Sequence, residues 1–441
     1  MKTLLHGLTL AILASGCTTG SGTSNPPQDF AQTAPSTQAA TAKQQVELDT
    51  LLQSFIDEKK AANLAAFVAQ DGEILYAKAF GQKNLDNKAP ASLEDYYVLF
   101  SQTKAVTTVA FMTLVERGLV NIHDPVARYF PEIPDSVLMS IRDDGSFETR
   151  PAKQPMTFVH LMAHTSGLDA GLAGEARQER SGAGAPIGFG GEEPAFQPSG
   201  QRTGGGNYQA EYLQEEMLAL AAYPLGFDPG TQWNYHISTN MLAYLIERIS
   251  GQSLRDYVKS TILDPLGMDQ TDWFYEPAAL ERFVTPYSAI DGMLVPGSEI
   301  YMRGTVTPEK TYAEGAIGLN GPITDYAKFA QMLLNRGEFN GQRILKPETV
   351  ELMTTINRLP PPEEDAENFQ FGLGFELYNA DKKPAPAVSN SAYAWGGLMG
   401  TEYIIDPENN LIALFYLNMY QREALYPQFL NKAYKLINRE E

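Results

Sequence analysis

Patterns typical of β-hairpins lie near both ends of this 441-residue chain, and helical patterns lie between them. The first pattern joins an apolar run at 65–69 to a second at 74–76 through an Asp-Gly turn at 71–72. The second pattern pairs 402–405 with 411–417 across a turn that contains Pro and Asn. Strands at both ends with helices between them predict an α+β fold, in which both chain ends build an antiparallel sheet flanked by helices.

Apolar residues at helical spacing predict where the helices lie. The predicted helices cover residues 45–60, 101–118, 157–162, 240–249, 324–334 and 429–437. We expect a discontinuous α/β domain formed by 45–123 and 312–441, with a mostly helical inserted domain at 124–311. A Gly-rich stretch at 169–207 is predicted to be a loop without regular structure, and a loop of that length is either functional, as a pocket rim, or disordered.

The first 44 residues have the features of an export signal followed by a tether. Lys2 precedes an apolar run at 8–13 that is too short to span a bilayer and is followed by small residues, as in a secretory signal. The signal is predicted to end at Cys17, the only cysteine, which excludes an intramolecular disulfide. Residues 18–44 are rich in Ser, Thr, Gln, Pro and Ala and are predicted to form a flexible tether.

The tetrapeptide Ala14-Ser15-Gly16-Cys17 resembles the lipobox of bacterial lipoproteins, which implies lipidation of Cys17. We therefore expect an exported protein, periplasmic or anchored to the outer membrane of a bacterium, that contacts the membrane only through this lipid. A plain secretory signal with an incidental cysteine is the alternative. The net charge of −20 makes nucleic acid an unsuitable partner.

A serine and a lysine three residues apart stand at the start of the predicted helix 101–118. Residues i and i+3 lie side by side on a helix, so Lys104 is expected beside Ser101. The free N–H groups of a first helical turn also favour developing negative charge. The pair therefore predicts a serine nucleophile whose activator is not histidine, although a capping serine near a solvent-facing lysine is an alternative.

Other signatures of hydrolases and metal sites are missing from the sequence. There is no Gly-x-Ser-x-Gly nucleophile elbow, which argues against an ordinary α/β-hydrolase. His160 and His164 have the i, i+4 spacing of a metal-binding helix face, but no His-Glu-x-x-His motif contains them. We interpret them as structural histidines and expect neither a metal nor a cofactor, because acyl transfer by a serine needs only side chains and backbone amides.

Two further segments carry the signals of a site. Tyr235 follows a Pro-Gly turn and stands just before the predicted helix 240–249. Trp395-Gly396-Gly397 directly precedes the predicted strand at 402–405, and glycines beside a strand let another group approach the backbone closely.

Together with Ser101 and Lys104, these segments resemble the serine β-lactamase and penicillin-binding-protein superfamily, most closely its class C-like branch, which includes family VIII esterases. The resemblance extends from about residue 45 to the C terminus. It also includes the segments 114–118, 124–126, 164–168, 250–252, 264–268 and 325–337. The resemblance implies a β-lactamase/transpeptidase-like fold.

The resemblance also implies roles for individual residues. Ser101 would be the acylated nucleophile, with Lys104 and Tyr235 as its activators, and the backbone N–H groups of Ser101 and Leu398 would form the oxyanion hole. Ionising a free tyrosine at pH 7 costs about 4 kcal/mol, which an adjacent ammonium and a helix N terminus are expected to reduce. Whether Lys104 or Tyr235 is the formal base stays open at this point.

Departures from the family pattern indicate the substrate. Trp395 stands where β-lactamases and peptidases usually have the lysine of Lys-Thr-Gly, and Ile237 replaces the asparagine of Tyr-x-Asn. Both changes remove polar recognition of a peptide-like substrate. We predict a serine hydrolase that acts on small esters or amides, most consistent with a carboxylesterase, with Trp395, Gly396, Gly397 and the unusual His236 at the substrate. A β-lactamase or D-amino-acid peptidase or transpeptidase, and a catalytically silent envelope binding protein, are the alternatives.

Overall fold

The computed structural model describes residues 42–181, 213–297, 312–361, 369–378, 383–420 and 424–437. The predicted signal peptide at 1–17, including Cys17, lies outside the described residues, as does nearly all of the predicted tether at 18–44. The first helix begins at Ala42, three residues earlier than predicted. Among the described helices, none has both the length and the apolar character that crossing a bilayer requires.

Sixteen strands occur in the described residues. They are β1 Asn63–Gln70, β2 Glu73–Asn84, β3 Ala89–Pro90, β4 Tyr97–Val98, β5 Ser136–Ile141, β6 Phe147–Pro151, β7 Tyr287–Ile290, β8 Met293–Pro296, β9 Asn320–Gly321, β10 Glu338–Phe339, β11 Gln342–Arg343, β12 Gln370–Phe371, β13 Glu376–Leu377, β14 Tyr393–Gly396, β15 Thr401–Asp406 and β16 Leu411–Tyr416. Eight of them form one antiparallel sheet in the order β12-β13-β14-β15-β16-β1-β2-β3. Strands from both chain ends pair at its centre, where β1 lies beside β16, so the predicted α+β fold is confirmed.

Ten α-helices accompany the strands within the described ranges. They are α1 Ala42–Asp57, α2 Thr103–Glu116, α3 Phe158–Met162, α4 Gly171–Ser181, α5 Leu213–Ala221, α6 Ser238–Ser250, α7 Leu254–Val258, α8 Ile323–Leu334, α9 Pro347–Thr354 and α10 Tyr426–Ala433. Short 3-10 turns lie at Phe100–Gln102, Val126–Arg128, Pro277–Arg282 and Tyr434–Leu436, and a π turn at Lys259–Leu263 follows α7. The stop expected after α6 is present, because Gly251 adopts the left-handed conformation that ends many helices.

The two faces of the large sheet bury different sets of side chains, because successive residues of a strand point to opposite sides. Leu64, Ala66 and Val68 of β1 face one hydrophobic cluster, which α1 and α10 cover; we call this the α1/α10 face. Ala65 and Phe67 face the other cluster, where α8 packs on the sheet; we call this the α8 face. Buried residues of α2 and α6 belong to the same cluster as the α8 face.

The segment between the two halves of the sheet is not uniformly helical. It contains two hairpins, β5–β6 and β7–β8, besides its helices. The stretch predicted as a loop at 169–207 begins with α4, and this part of the prediction is wrong. Ala173 and Ala176 are buried, and Arg177 forms a two-pronged ion pair with Asp169 at 2.6 and 2.7 Å. Positions 182–207 lie outside the described residues, and the predicted domain boundaries stay a prediction.

Candidate active site

Ser101 lies in the 3-10 turn that leads into α2, and not within α2 as the helical pattern predicted. The residue before it, Phe100, has a φ of 46°, a left-handed conformation that is strained for a bulky side chain. Two hydroxyl groups bind Gln102 in this turn: Tyr416 of β16 donates to its side-chain oxygen at 2.6 Å, and Tyr326 of α8 donates to its carbonyl at 3.1 Å. The turn therefore holds Ser101 in one position.

Lys104 lies in the first turn of α2 and is only 1% exposed. Its Nζ is 3.2 Å from Ser101 Oγ, 3.0 Å from the carbonyl oxygen of Ala316 and 3.4 Å from His236 Nδ1. Burial lowers the pKa of Lys104 to about 7, although the carboxylate of Glu314 acts in the opposite direction. The lowered pKa makes the neutral amine accessible near pH 7, and a neutral amine can accept the hydroxyl proton of Ser101.

Tyr235 lies on the other side of Ser101, in the loop before α6. Lys104 Nζ is 4.6 Å from the centre of its ring, and Trp395 Nε1 donates a hydrogen bond of 2.9 Å to its hydroxyl. Burial raises the pKa of Tyr235, and hydrogen bonds with Ser101 and Trp395 only partly offset this. Two neighbours, Ser101 and Trp395, do act to lower this pKa as expected, but the effect of burial is larger and the net shift is upward.

The Trp-Gly-Gly segment is packed against the chain that enters the serine turn. A Cβ at Gly397 would lie 2.4 Å from the carbonyl oxygen of Leu99 and 2.1 Å from Thr401 Oγ1, so only glycine fits there. Thr401 Oγ1 also donates to Leu99 O at 3.2 Å. Leu398, the next residue, packs with Phe100 in a small hydrophobic cluster. The structure thus brings the Leu398 backbone close to the serine turn, and its role in an oxyanion hole stays a prediction.

Two strained histidines border the site. His164 and His236 have φ values of 57° and 119°, and the His236 amide donates to His164 Nδ1 at 3.4 Å. Burial, followed by the charge of Lys104, keeps the pKa of both well below the usual range, so both rings are neutral. His236 Nε2 is buried and has no hydrogen-bond partner among the described residues. Its predicted contact with substrate stays a prediction.

Sequence reasoning missed the position of His164. Its ring centre is 4.7 Å from that of Tyr235, whereas its neighbour in the pattern, His160, forms a capping box with Thr157 at the start of α3. The interpretation of both histidines as structural residues therefore fits His160 but not His164. The signal for His164 was present in the segment 164–168, which the family resemblance already included.

Aromatic side chains form a wall beside the Tyr235 hydroxyl. This aromatic wall consists of Trp233, Tyr235, Phe369, Phe371 and Trp395. The ring centre of Trp395 lies 5.2 Å from Tyr235 and 5.1 Å from Phe371, and that of Trp233 lies 5.0 Å from Phe369. Nothing in the sequence pattern pointed to the two phenylalanines, which belong to a short segment at the edge of the sheet. The wall offers an aromatic surface, and the amine of Lys104 lies against its Tyr235 ring.

No group of three or more His, Cys, Asp or Glu side chains that could hold a metal ion occurs in the described part of the chain. The groups that surround Ser101 are instead an amine, a phenol, an indole and two neutral imidazoles. A nucleophile flanked by a proton acceptor and a proton donor can support acyl transfer.

Comparisons with known proteins agree with this geometry. The chain is 28% identical over 390 residues to esterase EstB of Burkholderia gladioli, covering 84% of this chain and 89% of that protein. It is 29% identical over 377 residues to the lovastatin esterase of Penicillium rubens, with coverages of 80% and 83%. Among solved structures, EstCE1, a hydrolase with promiscuous acyltransferase activity, has a TM-score of 0.70 at 20% identity and covers 90% of this chain and 98% of that chain. The last likeness shows the fold.

The fold and the esterases among its relatives define the class of protein: it is a serine hydrolase. The beta-lactamase family model matches residues 48–427, and the chain belongs to that family. The predicted resemblance to the serine β-lactamase and penicillin-binding-protein superfamily is thereby confirmed.

Proposed function

We propose that this protein hydrolyses small carboxylic esters through an acyl-enzyme on Ser101. The observation that carries the proposal is the placement of Ser101 Oγ, 3.2 Å from Lys104 Nζ, beside a tyrosine whose hydroxyl is bound by Trp395. The position that holds a lysine in penicillin-recognising relatives supplies an indole here. The site therefore keeps the groups for acyl transfer and has an indole at the position of that lysine.

The opposite pKa shifts of Lys104 and Tyr235 support one order of proton transfers. Neutral Lys104 takes the proton of Ser101 as Oγ attacks the ester carbonyl, because its lowered pKa leaves a lone pair available near pH 7. Tyr235 stays a neutral phenol, since burial raises its pKa, and it donates its proton to the leaving alcohol. Transfer of a proton from the Lys104 ammonium then restores the phenol.

The negative charge that develops on the carbonyl oxygen would be stabilised by the backbone N–H groups of Ser101 and Leu398. Two such donors typically contribute about 3 kcal/mol each to the transition state. The glycine at 397 supports this role, since it lets the turn containing Leu398 approach the chain just before Ser101. Water then attacks the acyl-enzyme by the same steps in reverse.

The aromatic wall supports an ester with an apolar group next to the reacting carbonyl. Trp395 binds the Tyr235 hydroxyl and packs against Phe371, and the group attached to the reacting ester would pack on these rings. Burial of apolar surface contributes about 25 cal/mol per Å². The known relatives are in line with this choice, since EstB and the lovastatin esterase are named as esterases.

The test compares two substrates in the purified protein and in Ser101→Ala. We expect turnover of short-chain nitrophenyl esters by the wild type, slow or absent turnover of a chromogenic cephalosporin, and loss of ester turnover in Ser101→Ala. Ser389→Ala is the matched control, because Ser389 is a buried serine bonded to Asp406 on the other side of the sheet. Ester turnover that survives Ser101→Ala refutes the mechanism, and faster cephalosporin turnover favours the β-lactamase alternative.

We also propose that the protein is exported and anchored by a lipid on Cys17, on the basis of the lipobox-like tetrapeptide at 14–17. Metabolic labelling with palmitate in a bacterial host should modify the full-length chain. Labelling that persists in Cys17→Ser contradicts this proposal and leaves the esterase proposal untouched.

A further inference from the structure

A buried polar cluster is connected to Lys104 through the carbonyl of Ala316. It consists of Glu216, Asn240, Tyr312, Glu314 and the backbone of Ala316, and we call it the Glu314 cluster. Asn240 is fully buried, and Glu216 and Glu314 are only 2% and 4% exposed. Burying two carboxylates in a protein core is costly unless they are paired or bonded, so such a cluster requires a reason.

The cluster fixes the backbone that receives Lys104. Lys104 Nζ donates to the carbonyl of Ala316 at 3.0 Å, and the amide of the same residue donates to Asn240 Oδ1 at 2.9 Å. One residue earlier, the carbonyl of Gly315 accepts from Thr107 Oγ1 at 2.8 Å. A Cβ at Gly315 would lie 2.4 Å from that of Ala243 on α6, so the segment is pressed against this helix. The carbonyl of Ala316, which accepts the hydrogen bond from Lys104, therefore cannot shift independently of α6.

The amide of Asn240 also faces both carboxylates. Its Nδ2 is 3.4 Å from Glu314 Oε1 and 3.3 Å from Glu216 Oε2. Glu216 additionally accepts from the Tyr312 hydroxyl and lies in the field of Arg177. Glu314 is the carboxylate whose charge acts on Lys104. The two acids thus serve different cations, with Asn240 between them.

The groups that face Lys104 from the surrounding elements are few. The neutral rings of His164 and His236 and the phenol of Tyr235 carry no charge, whereas Glu314 does. A buried negative charge favours the ammonium form of a neighbouring amine and opposes the effect of burial. The balance between these two effects decides how much of Lys104 is a free base at a given pH.

We propose that Glu314 and Asn240 are positioning residues for Lys104: Asn240 binds the amide of Ala316, whose carbonyl receives the amine, and Glu314 binds the Asn240 side chain and is the buried negative charge that acts on the amine. The inference rests on the proposed role of Lys104 as the base. Without Glu314, a larger fraction of Lys104 would be the neutral amine at low pH. The ammonium that forms when Lys104 takes up a proton would, however, be less well stabilised.

The first experiment measures the pH dependence of kcat/KM for a nitrophenyl ester, and of the rate at which a fluorophosphonate modifies Ser101. We expect Glu314→Gln to move the acid limb of both profiles to lower pH by about half a unit or more, since a removed opposite charge lowers the pKa of a buried amine. The matched control is Glu247→Gln, a half-buried glutamate at the far end of α6 that bonds the Leu254 amide at 2.8 Å. A folded Glu314→Gln protein with an unshifted limb overturns the role of Glu314.

A second pair of variants covers the case in which the glutamine variant does not fold. Glu314→Asp keeps the charge but moves it away by one methylene, so its acid limb should lie below that of the wild type. Asn240→Ala should lower kcat about tenfold with little change in KM, because the Ala316 carbonyl loses its anchor. An unchanged kcat in folded Asn240→Ala overturns the role of Asn240.

The outcomes for the cluster and for the proposed function are distinguishable. If Ser101→Ala still reacts with the fluorophosphonate, the proposed nucleophile is wrong and the inference fails with it. If Ser101→Ala and Lys104→Met are both inactive but Glu314→Gln and Asn240→Ala behave as the wild type, only the inference about the Glu314 cluster fails.

Discussion

The two faces of the large sheet each bury a charged group, and they treat it in opposite ways. On the α1/α10 face, burial alone would raise the pKa of Asp406, but hydrogen bonds from Ser389, Tyr434 and Asn409 overcome this and lower it. On the α8 side, burial lowers the pKa of Lys104 to about 7. The carboxylate form of Asp406 is favoured because its oxygens accept several hydrogen bonds. The ammonium form of Lys104 is disfavoured because the group is buried.

The difference between the faces lies in what each stabilises. Around Asp406 the core is filled by stacked rings such as Phe415 and Phe429, whose centres are 5.0 Å apart, and the buried acid ties the 3-10 turn that follows α10 to the sheet. Around Lys104 the backbone is strained at Phe100, and a buried amine is held in a state that water would not favour. On one face the buried charge is fully hydrogen-bonded, and on the other burial opposes the charge of the amine that we propose as the base.

The largest expected effect is that of Lys104→Met on the catalytic side. We expect kcat/KM for esters to fall about a thousandfold or more, because the base is removed. Stability should be unchanged or higher at neutral pH, since replacing a buried amine with an apolar chain of similar size removes a desolvation cost.

The stability gain of this variant should depend on pH in a defined direction. The pKa of Lys104 is about 7 in the folded state and 10.5 when unperturbed, so the unfolded chain binds more protons between these values. The stability of the wild type therefore rises with pH across this window, and that of Lys104→Met rises less. Chemical denaturation at pH 7 and 10 checks this, and equal slopes would contradict the assigned burial cost.

Asp406→Asn should show the opposite behaviour on the other face. The variant replaces an acceptor with an amide opposite the donors of Ser389 and Tyr434, so the free energy of unfolding should fall by about 2–3 kcal/mol. Activity at low temperature should be retained. Denaturant titration and an ester assay on one sample check both, and a large loss of kcat in the folded variant would break the distinction between the faces.

The pH profile of the wild type follows from the state of Lys104. Because only the neutral amine accepts the Ser101 proton, kcat/KM should rise with pH and level off above about 7. At one pH unit below this pKa about a tenth of the amine is neutral, so the rate should be about tenfold lower than the plateau. A flat profile between pH 5.5 and 8.5 would contradict Lys104 as the base.

The smallest expected effect is that of Trp395→Phe. It keeps an aromatic ring beside Phe371 but removes the N–H that donates to Tyr235 at 2.9 Å. We expect a three- to fivefold lower kcat, equivalent to about 1 kcal/mol for one hydrogen bond, with little change in KM. Phe371→Leu is the contrasting variant, in which KM for apolar esters should rise while kcat is unchanged. If Trp395→Phe changed mainly KM and Phe371→Leu mainly kcat, the roles proposed for the two side chains would be contradicted.

Much of the fold was predictable because its signals are local. The turn at 71–72, the strands around 402–417 and the helix ending at Gly251 all follow from period and turn chemistry, and the structure confirms them. The loop prediction was wrong from residue 171 onward. The composition suggested a loop, whereas the burial of Ala173 and Ala176 and the Arg177–Asp169 ion pair stabilise a helix. Glycine content is a weak guide where tertiary packing supplies the energy.

The sequence by itself determined the family, the pairing of Ser101 with Lys104 at three-residue spacing, and the replacement of a cation by Trp395. Only the tertiary structure supplies the burial that shifts the pKa of Lys104 downward and that of Tyr235 upward, on which the proposal of Lys104 as the base rests. Tyr235 and Trp395 are 160 residues apart and meet at one hydrogen bond, and Lys104 reaches a carbonyl 212 residues away. A pKa depends on burial and on charges supplied by distant segments, so a motif names the reacting groups, and the packing around them sets their protonation.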